Sequence, residues 1–194
     1  MDDDALESFA RLGLRLFWFR QVMFVGATIV TTLYLSSPLP LYGYIACLIA
    51  ELAEAYLSWR FLARPDAEPA RRRRFVLWQC LVGGWSAASI SAYAVLVAWL
   101  GAPEFFFVPL TYQFSAALYA SLFNHQFRSL LVVRMAVYVV GFCILAGMAW
   151  AVHAAQQPAL GVSYLVTVLS ASFFSVTNAL VLRQKHCDRV ARER

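Results

Sequence analysis

Six apolar stretches of about 17 to 26 residues divide the 194-residue chain, at 20–36, 41–63, 75–100, 105–123, 130–152 and 161–182. A helix needs roughly 20 such residues to cross about 30 Å of hydrocarbon, so each stretch is a candidate membrane span. The stretches lack the period-two alternation of barrel strands, and helices satisfy their backbone groups internally, which lipid demands. With 61% hydrophobic and only 14% charged residues, the chain is also more apolar than a soluble domain. The expected fold is all-α: an integral membrane six-helix bundle over 20–182, preceded by an interfacial amphipathic helix at 1–19 and followed by a cytoplasmic exit helix at 183–194. In the first segment Glu7, Arg11 and Arg15 recur at spacing four among Leu6, Phe9, Leu12, Leu16 and Phe17, with Trp18 and Arg20 expected at headgroup depth.

Basic residues orient such a bundle. The 16 Lys and Arg residues avoid SSPLP, GAPE and HAAQQPALG and gather at the N-terminus, in 64–74, around 124–129, at the inner ends of the spans and in the tail. Short-loop Lys and Arg stay cytoplasmic, so both termini and those two loops are expected inside, in a multi-pass protein of a bacterial inner membrane. The net charge of +5 then forms a basic belt facing anionic lipid headgroups, densest at Arg71, Arg72, Arg73 and Arg74, and makes no case for nucleic acid. MDDDALESF is acidic, unlike the start of a cleaved signal peptide, so the first span is expected to stay.

One helix breaks the apolar rule. Glu51 and Glu54 lie in AELAEAY, one turn apart on one face and near mid-membrane, where a lone carboxylate costs at least about 2.5 kcal/mol. Arg134, a few residues inside the fifth span, is the expected partner, with Arg60 able to reach back from the inner edge. Two readings stay open. In the structural one, one Glu is paired with Arg134 and the other carries a proton. In the functional one, the carboxylates line a polar pocket with Tyr42, Tyr44, Tyr56, Tyr112 and Gln113 and sense a proton, a cation or a small amphiphile.

Asn124, His125, Gln126 and Arg128 form a polar turn at the inner end of the fourth span, read as a loop cap or a switch. Cys47, Cys80, Cys143 and Cys187 have no metal or disulfide spacing, and His125, His153 and His186 are too scattered to ligate haem. No metal, cofactor or catalytic residue is expected. The third span carries GGWSAASISA, two rows of small residues at spacing four that suit close helix packing.

The segments LESFARLGLRLFWFRQ, the Glu-bearing second span, the NHQFRS turn and the exit VLRQKHCDRVARER together resemble the N-terminal membrane sensory module of bacterial sensor histidine kinases, especially multi-span hybrid kinases of two-component systems. The resemblance covers the whole chain and is one of architecture. It implies signal transduction to a kinase-type output beyond Arg194 or in a partner membrane protein, and a homodimer, with the third span's small-residue face as one seam. His186 in KHCDRV lacks the flanking Glu, Arg and Pro of a phosphoacceptor site, so no catalytic residue carries over. The competing expectations are a small proton- or cation-coupled transporter using Glu51 and Glu54, and a structural or assembly subunit of a larger membrane complex.

Overall fold

The computed structural model describes residues 3–63, 69–124, 127–153 and 158–192. Among them are six α-helices and no strand: α1 Asp3–Leu35, α2 Leu39–Leu62, α3 Pro69–Leu100, α4 Phe107–Phe123, α5 Arg128–His153 and α6 Pro158–Arg192, with a 3-10 turn at Pro103–Phe106 before α4. Every described proline sits at a helix start: Pro38 and Pro40 open α2, while Pro69, Pro103, Pro109 and Pro158 open α3, the 3-10 turn, α4 and α6. There the missing N–H has no intrahelical acceptor to lose and the fixed φ suits the first turn. No described helix is therefore broken by proline in its interior.

Among the described residues four helices are long and apolar enough to cross a membrane, over Leu6–Leu35, Ala70–Leu100, Arg128–Val152 and Val162–Gln184. Large apolar side chains such as Trp18, Leu33, Trp99, Val140 and Phe173 point outward from them, which marks a protein whose solvent is lipid. In α2 the apolar run is interrupted by Glu51 and Glu54, and α4 has only 17 residues.

Helix α1 has 33 residues and runs unbroken across the boundary drawn at residue 19. Its first turns are packed: Phe9 meets Phe127 edge-to-face at 5.4 Å, and both join Leu130 in a small cluster. The same continuity holds for α6, which passes from its apolar stretch into its charged end without a break. Arg71, Arg72, Arg73 and Arg74 lie on the opening turns of α3, where the sequence suggested a loop. Pro69 starts that helix, and Arg is a good helix former.

Helices α3 and α5 form the centre. Ala87, Ile90, Tyr93 and Val97 of α3 pack against Leu131, Met135, Tyr138 and Phe142 of α5, with Ala117 and Ala120 of α4 and Val168 and Ala179 of α6 closing the core. Small residues set the separation. A Cβ on Gly84 would stand 2.9 Å from Val133, and one on Gly83 would strike Leu130, so this stretch of α3 lies almost backbone-on-side-chain against α5. Gly141 of α5 meets Ser91 and Gln113 in the same way. The row Gly83, Ala87 and Ser91 is thus used within the chain, and only Ala88 and Ala92 of the neighbouring row are exposed to offer a seam to a second copy. Helix α1 packs along α2, and α4 sits over α3, α5 and α6.

Candidate functional site

The polar residues of α2 and α3 face one another in antiparallel order. Glu51 Oε1 accepts from the Ser86 hydroxyl at 2.6 Å, and one turn further on Glu54 Oε1 accepts from Gln79 Nε2 at 3.2 Å. Gln79 and Ser86 are seven residues apart, two helical turns, which puts them on one face of α3. Each carboxylate's second oxygen meets a guanidinium. Arg134 of α5 donates through Nη2 to Glu54 Oε2. Arg20 of α1 brings Nη1 to 3.0 Å from Glu51 Oε2, an ion pair by distance whose N–H is not aimed at the oxygen.

All four charged residues are buried, Glu51 1% exposed, Arg134 3%, Glu54 6% and Arg20 9%. Two cations and two anions cancel, which is what a low-dielectric interior requires of charges that stay ionised. The Arg20 guanidinium also lies 5.3 Å from the centre of the Tyr119 ring on α4, within cation–π range. One quartet therefore links α1, α2 and α5 directly, with α3 bonded to both carboxylates and α4 in ring contact.

Three members of the quartet, Arg20, Glu51 and Arg134, floor a lateral cleft of about 460 Å3 between α1 and α4. Arg20, Glu51, Arg134 and Tyr138 form its ionic end, and Phe24, Ala27, Phe107 and Val108 form its apolar end. Phe24 and Tyr112 come within 5.5 Å, and Tyr34 stacks on Phe105 at 4.0 Å, so ring contacts tie α1 to α4 and to the 3-10 turn before it. An apolar trough with a few convergent polar groups at one end suits an amphiphile lying along it. A second, smaller cavity lies on the other side of the quartet, bounded by α1, the end of α4 and Arg134.

The sequence expectations divide at this site. Glu51, Glu54 and Arg134 do come together, and Tyr112 lines the cleft. Glu51 is not left with a proton as its only relief, because Arg20, expected among headgroups, supplies its countercharge. The unbroken α1 carries Arg20 into the bundle rather than along its rim. Tyr56 is exposed beside Trp59, away from the quartet. Gln113 is buried elsewhere, donating to Ser91 Oγ at 2.9 Å and to the Tyr138 carbonyl at 3.2 Å between α3 and α5. Tyr42 is exposed, and Tyr44 donates to Gln21 on α1. Arg60 is exposed and its carbonyl accepts from Arg71, so it does not reach back to Glu54. Asn124 is buried against the smaller cavity and Arg128 is exposed, while His125 and Gln126 lie outside the described residues.

Arg20, Gln79 and Ser86 are the members that the sequence reading missed. The signal for the α3 pair was present: Gln79, Ser86 and Tyr93 recur at spacing seven, a polar stripe in an apolar helix. Tyr93 completes it, its hydroxyl 2.8 Å from Thr31 Oγ1 of α1.

Among the described residues no group of His, Cys, Asp and Glu is placed to hold a metal ion. The site defines a helical membrane protein with a charge-neutral buried quartet beside a lateral cleft. No family model, no curated protein and no solved structure matches this chain.

Proposed function

We propose that the chain is a membrane sensory module that passes the presence of an amphiphile in the α1–α4 cleft to a kinase-type output on the cytoplasmic side. In this reading all six helices cross a bacterial inner membrane with both termini inside, Arg71 to Arg74 contact lipid headgroups, and the module acts as a homodimer or beside a partner membrane protein. The observation that carries it is the cleft itself, mostly apolar in its lining and charged at its floor.

A route to the exit helix supports it. Tyr119 on the cleft wall and Ser121 share the last turns of α4, and Ser121 Oγ accepts from Asn178 Nδ2 of α6 at 2.9 Å. An occupant that moves α4 therefore moves a hydrogen-bonded α6, whose helix continues to Arg192. Transport through Glu51 and Glu54 is the weaker reading, since a guanidinium already holds each carboxylate and leaves neither free for a coupling ion.

Residues 1–194 joined to a histidine-kinase core and reconstituted in liposomes test the proposal. Phosphorylation is expected to change when amphiphiles of varied chain length are added, and to lose that response in Thr111→Phe, which fills the exposed cleft wall. Output that stays constant across amphiphiles and lipid mixtures would sink it.

A further inference from the structure

The smaller cavity behind the quartet has a volume of about 20 Å3, room for one water-sized occupant. Three nitrogen donors without a hydrogen-bond partner belong to residues that line it: Arg20 Nε, Arg134 Nε and Asn124 Nδ2. Each of these residues is at least nine-tenths buried, and Asn124 is 3% exposed. Buried N–H groups are nearly always satisfied, so three around one small space define what must fill it. The unpartnered buried side-chain atoms of the lining residues are all donors. Both oxygens of Glu54 already accept, from Gln79 and from Arg134, and no other buried unpartnered oxygen belongs to a lining residue. A water molecule would bring two O–H groups of its own, whereas an anion only accepts.

We propose that this cavity binds one small monatomic anion, chloride under ordinary conditions, held by Arg20, Arg134 and Asn124. The lining carries two cations, Arg20 and Arg134, against one carboxylate, Glu54, and exposed Arg15 and Arg128 lie on the same two helices as those cations. A bound anion bridges α1, the C-terminal end of α4 and α5 at a point where no side-chain hydrogen bond joins them directly among the described residues. The site shares Arg20, Tyr119 and Arg134 with the cleft, yet it stands whether or not the module is a sensor.

Thermal unfolding of the full chain in neutral phosphatidylcholine nanodiscs tests the assignment, with sodium chloride compared with sodium gluconate at equal ionic strength. Tm is expected to rise by a few degrees and saturate with chloride and with bromide, and to stay flat with gluconate. Asn124→Asp sets a carboxylate against the anion and should abolish the saturable rise while circular dichroism remains helical. Chloride NMR line broadening by the unaltered protein, reversed by bromide, gives a readout that does not depend on a variant folding. Identical curves in chloride and gluconate would mean that water alone fills the cavity and would overturn the proposal. So would a rise that persists in Asn124→Asp, or an absence of line broadening.

Discussion

Arg20 of α1 and Glu51 of α2 stand 3.0 Å apart with almost no exposed surface between them. Such a pair is asymmetric in its energetics. Forming it yields little over two well-packed apolar residues, but removing one partner strands a charge in a low-dielectric interior at about 3–5 kcal/mol. Arg20→Met and Glu51→Leu are each expected to cost that much, and the double variant to regain most of it. Unfolding by denaturant in mixed micelles, with the four proteins compared as a cycle, checks this.

Glu51 and Glu54 lie one turn apart, so their two ion pairs share a field. A cycle between Arg20→Met and Arg134→Met should therefore depart from additivity, by an interaction energy of about 0.5 kcal/mol or more. Additive losses would mean that the quartet is two independent pairs.

Helix contacts predict opposite outcomes for three glycines. A Cβ at Gly141 would lie 2.9 Å from Ser91 Oγ and collide with the Gln113 amide, so Gly141→Ala should destabilise by about 1–3 kcal/mol. At Gly26 and Gly147 the Cβ would meet nothing within 4 Å. Alanine there should be neutral or stabilise by up to about 1 kcal/mol, through helix propensity. The same unfolding experiment separates them.

Asn178→Ala removes one interhelical hydrogen bond, worth about 0.6 kcal/mol in membranes, so stability should hardly change. In the kinase fusion, however, it should uncouple output from the cleft. A response of unaltered amplitude would place the route to α6 elsewhere.

The proposed topology puts exposed Ala102 and exposed Arg73 on opposite sides of the membrane. In a chain otherwise free of cysteine, an impermeant maleimide added to intact cells should label Ala102→Cys and leave Arg73→Cys unlabelled until the cells are opened. The reverse pattern would invert the bundle and the sensory proposal with it.

Much of the helical layout was legible in the sequence because apolar length and proline position are local signals. Proline marks the starts of α2, α3 and α6, and long uncharged runs mark the interiors. Glu51, Glu54 and Arg134 were legible as well, since a charge inside an apolar run needs a partner. Arg20 was not, because whether a residue at the edge of such a run sits among headgroups or inside the bundle depends on how deep its helix begins. Only the packing of Phe9 on Phe127 settles that, a contact between residues 118 positions apart. Tyr56 and Gln113 failed for the complementary reason: polarity and depth do not say which way a helix is rotated.

Along α1, Arg20 meets Glu51 in an ion pair, while Gln21 meets Tyr44 and Thr31 meets Tyr93 in hydrogen bonds. Sliding α1 by one turn would unmatch all three together, so its axial register is discrete. The motion left to this helix is a swing away from the bundle rather than a glide along it.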